Sequence, residues 1–314
     1  MKKLTVLSAV FSSIVQLSVG NPNDSTVIIC GKVENASNTR INLNRYSVFG
    51  SRQYYTNSDS VGNFKFLVDF NGIPKYDLSI NTVYKIPVFV GIGDSIYISF
   101  NHTELKEYHD FLLKPSYTGK GSEKNQHFYF LLKDRWAYQD SVGKLRELDD
   151  PFKYRIVFLN KLESEKNEII KYFKKYPELK VLKQYALEDN KYYWLSMAMQ
   201  YHHVKKNVDN KLFPLILDSL DYFDFLKEYE PYNDNSEYIE WFSFFTNEYL
   251  FYLISTKKGE FFFNMKPEDQ IKYIINSTSG IIQDACLTHF EKIYSIPTNK
   301  NIKAKKLDTI PVVK

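Results

Sequence analysis

Apolar side chains sit at alternate positions from Val27 to Phe100. Val27, Ile29 and Val33 begin the series. Ile41 and Leu43 continue it, then Phe64, Phe66 and Val68, then Leu78 and Ile80, then Ile96, Ile98 and Phe100. Period two marks strands with one face buried and the other wet. Asn57–Gly62 and Asn71-Gly72 supply turn residues between the runs. Short strands at this spacing predict a small antiparallel β-sandwich over residues 21–116.

Beyond Tyr117 the period changes to that of helices. Gly119-Lys120-Gly121 breaks the chain, and Ser122 can cap a helix carrying Phe128, Leu131, Leu132 and Gln139. Asp150-Pro151 pairs a capping residue with a proline at the first helical position. Phe152, Ile156, Leu159, Ile170 and Phe173 would form that helix's buried face. Pro177 with Glu178 opens a helix through Leu182, Ala186, Tyr193 and Met197. Pro214 opens one with Leu217, Leu220 and Phe225. Asp234 and Glu237 have capping-box spacing before Tyr238, Trp241, Phe242, Phe245, Tyr249 and Tyr252. Pro267 opens a short helix to about Asn276, and the last carries Ile281, Ile282, Ala285, His289 and Ile293. Short loops between such helices predict an all-α domain of helical hairpins over 117–295. The fold class expected is therefore α+β, with a tail at 296–314.

The N-terminus has a different character. Lys2 and Lys3 precede an apolar stretch from Leu4 to Val19, and Ser18-Val19-Gly20 places small residues where a signal peptidase cuts. Residues 1–20 are read as a signal peptide, cleaved between Gly20 and Asn21. The expected location is the periplasm or the outer cell envelope. No later segment is long and apolar enough to span a membrane.

Export permits a disulfide, and the chain has two cysteines, Cys30 and Cys286. Pairing them would close a very long loop, worth roughly 5 kcal/mol by chain entropy. The other reading is two separately buried thiols. A net charge of +4 is too small to argue for nucleic acid, and the lysines at 300, 303, 305 and 306 read as a solvated tail.

Three landmarks carry a family resemblance. They are Asp59-Ser60-Val61-Gly62-Asn63-Phe64-Lys65-Phe66, then Gly93-Asp94-Ser95-Ile96-Tyr97-Ile98, then the glycine-bounded junction from Tyr117 to Asn125. Their order resembles the N-terminal, pre-thioredoxin region of TlpA-like thiol–disulfide oxidoreductases exported by Bacteroidetes. The likeness covers about residues 25–130 by motif and the remainder by layout. It implies a β-domain, then helices, then a thioredoxin domain. Asp308-Thr309-Ile310-Pro311 resembles the approach to that domain, yet the chain contains no Cys-x-x-C. The resemblance therefore implies a non-catalytic accessory protein whose partner is another envelope protein, a separate oxidoreductase or its clients. A truncated oxidoreductase and a glycan-binding envelope protein are the alternatives.

Other residues offer chemistry that each has a plainer explanation. Gly119–Ser122 before a helix can cradle phosphate or serve as a junction and cap. Met197, Met199, His202 and His203 offer soft metal ligands, but adjacent histidines diverge by about 100° on a helix. Asp218, Asp221 and Asp224 can be paired acids or a solvated face. Trp136, Trp194 and Trp241 can stack on sugars or fill a core. Five Asp-Ser/Thr-x triplets, at 24, 59, 94, 140 and 308, resemble an O-glycosylation signal or mark turns. His102, His109, His127 and His289 lack ligand spacing. No cofactor is expected.

Overall fold

The computed structural model describes residues 26–70, 75–80, 85–106, 114–127, 150–201, 221–229, 232, 234–253 and 265–295. Eight strands come first: β1 (Thr26–Glu34), β2 (Arg40–Arg45), β3 (Arg52–Asn57), β4 (Asn63–Asp69), β5 (Lys75–Ile80), β6 (Ile86–Phe89), β7 (Ser95–Asn101) and β8 (Ser116–Lys120). Five α-helices follow among the described residues: α1 (Pro151–Phe173), α2 (Lys180–Met199), α3 (Glu240–Tyr252), α4 (Pro267–Ser277) and α5 (Gly280–Tyr294). The class is α+β with a helical C-terminal part.

Two four-stranded sheets form the strand-rich part, in the orders β4-β1-β7-β8 and β3-β2-β5-β6. Five of the six strand pairs are antiparallel and one pair, β1 with β7, is parallel, with Ile29 opposite Ile96. A parallel pair needs a long connection between its strands, and β2 to β6 supply it, with β2, β3, β5 and β6 building the second sheet and β4 returning to pair with β1. Between the sheets lies one core, which includes Val27, Ile29, Phe66, Leu43, Leu78 and Ile98.

The Asn57–Gly62 turn forms as its residues require. The Asp59 carboxylate accepts from the backbone N–H of Val61 at 2.9 Å and of Asn63 at 2.8 Å. Gly62 has φ +90, and a side chain there would strike the Val33 carbonyl. Asn71-Gly72 lies outside the described residues.

Helix α1 starts where Asp150-Pro151 places it, with the Asp150 carboxylate accepting from Phe152 and Lys153. Its buried face differs from expectation. Tyr154, Phe158, Leu162, Ile169 and Phe173 face inward, while Ile156 is exposed. Tyr154 decides the phase: its ring packs on Phe158 and Tyr201 at 4.7 and 5.1 Å, so an aromatic with a polar tip holds the place expected of an aliphatic. Asp234–Tyr238 is a separate 3-10 turn, and α3 begins after Ile239 with no side-chain cap, so the expected capping box does not open that helix. The expected helices beginning at Ser122 and Pro214 lie mostly outside the described residues. A helical turn covers 123–127, and Phe225 sits in a 3-10 segment, Asp224–Tyr229.

The second sheet packs its outer side against the helices. Phe89 of β6 joins the helical core edge-on to Tyr185 of α2, with ring centres 5.1 Å apart. The β2–β3 loop also inserts, placing Val48 in that core. No helix among the described residues is long and apolar enough to cross a membrane.

Candidate functional site

Where β5 meets α3, buried charge gathers. On β5, Tyr76, Leu78 and Ile80 face the sandwich core, so Lys75 and Asp77 face the helices. The Lys75 ammonium lies 3.4 Å from Asp77 and 3.1 Å from Glu240. Lys85 reaches Glu240 at 3.5 Å. Burial alone would lower the Lys75 pKa. Asp77, Tyr185, Glu240 and Asp189 outweigh it and hold the ammonium well above its usual range. Burial pushes the Asp77 carboxyl up, against the pull of Lys75. Lys75 draws the Glu240 carboxyl down, helped by Lys85. Two cations thus balance two carboxylates across the seam. Lys75 stays charged at neutral pH, which suits a clamp and not a proton-transfer base.

Hydrogen bonds to backbone carbonyls fasten the same seam. Val48 donates to the Glu237 carbonyl at 2.9 Å, and Lys292 of α5 donates to the Val48 carbonyl at 3.3 Å. A second weld joins the end of β6 to the helical turn at 123–127. The Asn125 side chain accepts from the Phe89 N–H at 2.7 Å and donates to the Phe89 carbonyl at 3.0 Å.

The residues singled out in the sequence fall into this framework. Gly121 has φ +85, and a Cβ there would strike the Asp94 carboxylate. Asp94 is buried, pairs with Lys124 at 2.7 Å and accepts from the Gly91 N–H at 2.5 Å. The Gly-Asp-Ser landmark and the glycine junction are therefore two halves of one local lock. The Asp59 triplet is a turn, and the Asp94 triplet follows the turn at 92–93 and opens β7. The other three triplets lie wholly or mainly outside the described residues, as do Gly20, Asn21, Trp136, His109, His202, His203 and Asp218.

Cys30 and Cys286 do not pair. Both are free thiols. Cys30 is half-buried on β1, on the side away from the sandwich core, and its thiol contacts the Ile96 carbonyl at 3.7 Å. Cys286 is fully buried in the helical core and contacts the Thr246 carbonyl at 3.9 Å. Burial raises both thiol pKa values, although Lys65 offsets part of the shift at Cys30. The two cysteines serve different cores, so separate thiols replace the long-loop disulfide.

Met199 is fully buried and Met197 packs beside it in the helical core. Trp194 is buried as well, and its indole donates to Glu165 at 2.6 Å. Trp241 is partly buried against Tyr193 and stacks beside the exposed Phe244, with ring centres 4.9 Å apart. Asp221 and Asp224 are exposed in a turn and a 3-10 segment, so they share no helix face. His102 is part of a short 3-10 turn, His127 packs between Tyr172 and Tyr176, and His289 bonds Thr246 at 2.9 Å. Among the described residues no group of three or more His, Cys, Asp or Glu can hold a metal ion.

Sequence reasoning missed the charged seam, because Lys75, Asp77 and Glu240 belong to no motif and Glu240 is distant from the other two along the chain. It also missed the buried Arg45, which is the direct partner of Arg52 in the β2–β3 ladder. An arginine in phase with Ile41 and Leu43 was the available signal, since its side chain must point the way theirs do.

No protein-family model and no curated protein matches this chain.

Proposed function

We propose that this chain is an exported, non-catalytic interaction protein of the bacterial cell envelope, related to the N-terminal region of TlpA-like proteins. Its partner in this reading is a separate oxidoreductase or one of that enzyme's clients. The placement of the two thiols carries the proposal. Thiol–disulfide exchange runs through an accessible thiolate with a second thiol close by. Here burial raises both thiols, and they occupy different cores. The welded seam adds support, because it holds strands and helices in one fixed arrangement for a partner to read.

The test takes the protein from its native cells. Its mass should start at Asn21, and the purified protein should leave a disulfide substrate unreduced. Reductase activity that disappears in Cys30→Ser or Cys286→Ser would sink the non-catalytic reading. A retained residues 1–20 segment would sink the export reading.

A further inference from the structure

The two sheets end in the edge strands β4, β8, β3 and β6. An edge strand shows a row of backbone N–H and C=O groups that invites another strand, so folded proteins cap or charge it. On β6, Pro87 has no N–H, and its carbonyl accepts from the Tyr117 hydroxyl at 3.3 Å. The Asn125 side chain takes both backbone groups of Phe89. On β4, Asp59 takes both backbone groups of Asn63, and the Tyr76 hydroxyl donates to the Asp69 carbonyl at 3.4 Å. Lys65 puts a charge between them. β8 is five residues long, has Gly119 at φ +94 within it and ends on Lys120.

The β3 edge has no such protection. Ser58 donates to the Thr39 carbonyl at 2.9 Å, in register with Arg40 opposite Asn57. Residues that bond the neighbouring strand alternate along an antiparallel ladder. Arg52, Tyr54 and Thr56 therefore bond β2, while Gln53, Tyr55 and Asn57 turn their backbone groups outward. Among the described residues none of those outward groups has a hydrogen-bond partner. The strand carries no proline, lysine or carboxylate to block its edge, and its Tyr54-Tyr55-Thr56 run favours strand pairing. The side chains of Gln53, Tyr55 and Asn57 are exposed.

We propose that the β3 edge pairs with the β3 edge of a second copy of this chain, antiparallel across a two-fold axis, so that the β3-β2-β5-β6 sheets of the two copies become one. The strand complements itself. An axis at Tyr55 sets Tyr55 opposite Tyr55, Gln53 opposite Asn57 and Tyr54 opposite Thr56, with the side chains of each pair on the same face. This register engages all three outward residues in hydrogen-bonded pairs, whose members exchange both N–H···O bonds. Aromatic pairs and aromatic–β-branched pairs across strands add to the attraction. Arg52 falls opposite Ser58 and away from its own copy, so no like charges face each other. The pairing needs neither export nor an oxidoreductase, and it stands or falls independently of the function proposed above.

Sedimentation velocity of the purified protein over a range of concentrations is the test. A single strand pair buries less than a standard interface, so the dimer should form reversibly with a dissociation constant of about 10–100 μM. Tyr55→Lys removes the tyrosine pair and sets lysine opposite lysine, which should weaken the dimer about ten-fold. Tyr55→Glu should weaken it too, and an equal mixture of the two variants should recover it through Lys–Glu pairs. Tyr55→Pro loses the outward N–H but no bond to β2, and should give a folded monomer. Wild type that stays monomeric at about 300 μM overturns the pairing and leaves the edge to a strand of a different protein. A dimer that both Tyr55→Lys and Tyr55→Pro leave intact overturns its assignment to β3. A Lys–Glu mixture no tighter than either variant alone overturns the register. Should Tyr55→Pro fail to fold, the two charged variants decide the matter.

Discussion

The two sheets are built alike and buried differently. The sheet of β4, β1, β7 and β8 faces the sandwich core on one side only. Its β4 reads exposed and buried in strict alternation, with Leu67 63% exposed. The sheet of β3, β2, β5 and β6 lies between two cores at β5 and β6, while its edge strand β3 has no fully buried residue. Its β6 is buried at every position and β5 at all but the first. The polar residues of β5 do not face water; Lys75 and Asp77 face the helices. Alternation of polar and apolar positions shows that a strand has two different faces. It does not show that the polar face is wet.

The largest expected effect tests whether the second sheet is part of the helical core. Phe89→Ala removes a fully buried ring from the Tyr185 contact and should cost about 3–5 kcal/mol, read by urea unfolding. A loss below about 1 kcal/mol would mean that the helices do not depend on β6 for their packing.

Lys75→Met comes next. It leaves Asp77 buried without its cation, and Glu240 with Lys85 alone. The expected loss is about 2–3 kcal/mol, because one half of a buried pair is left uncompensated. Replacing Asp77 by Leu in the same chain should recover much of it. If the double variant is no better than the single one, the seam is not a paired charge system.

These two variants also mark how far the sequence could be read. Strands β1, β4 and β7, the turn at Asp59 and the start of α1 are legible, because each depends on local pattern or local chemistry. β3, with Arg52-Gln53-Tyr54-Tyr55, and β6, with Ile86-Pro87-Val88-Phe89, are not. One has no aliphatic side chain, and the other no alternation. The charged seam was invisible for a related reason. Lys75 and Glu240 are 165 positions apart, and only the packed fold brings them to 3.1 Å. Arg45 was readable in principle, since a charge in phase with Ile41 and Leu43 contradicts a solvent-facing role.

The helical core contains a smaller, pH-dependent test. Burial pushes the His289 pKa down to about 4, with Lys292 adding to the shift and a bond to the Ser243 carbonyl opposing it. A base whose folded pKa lies below its unfolded value of about 6.5 folds in its neutral form. Its contribution is therefore whole above about pH 6.5 and falls away as pH drops toward 4, because the unfolded chain takes up the proton first. The loss should reach about 2 kcal/mol after allowing for partial exposure of the ring. His289→Asn should flatten the stability curve between those pH values, compared with wild type under urea. The Glu240 carboxyl, held down mainly by Lys75, gives its own loss at lower pH, below the usual glutamate value of about 4.3. A slope unchanged between pH 6.5 and 4.5 in His289→Asn would assign the acid sensitivity elsewhere.

The smallest effect is expected on the open face of the first sheet. Leu67 stands opposite Ile28 on β1, on the side away from the sandwich core. Leu67→Ser should change stability by less than about 0.5 kcal/mol, because the side chain is already in water. Its value lies in the contrast with Phe89→Ala, since both residues are apolar and both sit on strands. If the two variants differ by several kcal/mol, burial on the helical side and not strand position sets the stability of this fold. A Leu67→Ser loss above about 1.5 kcal/mol would mean that something in the intact protein covers this face. The two sheets would then be alike after all, each lying between two packed layers.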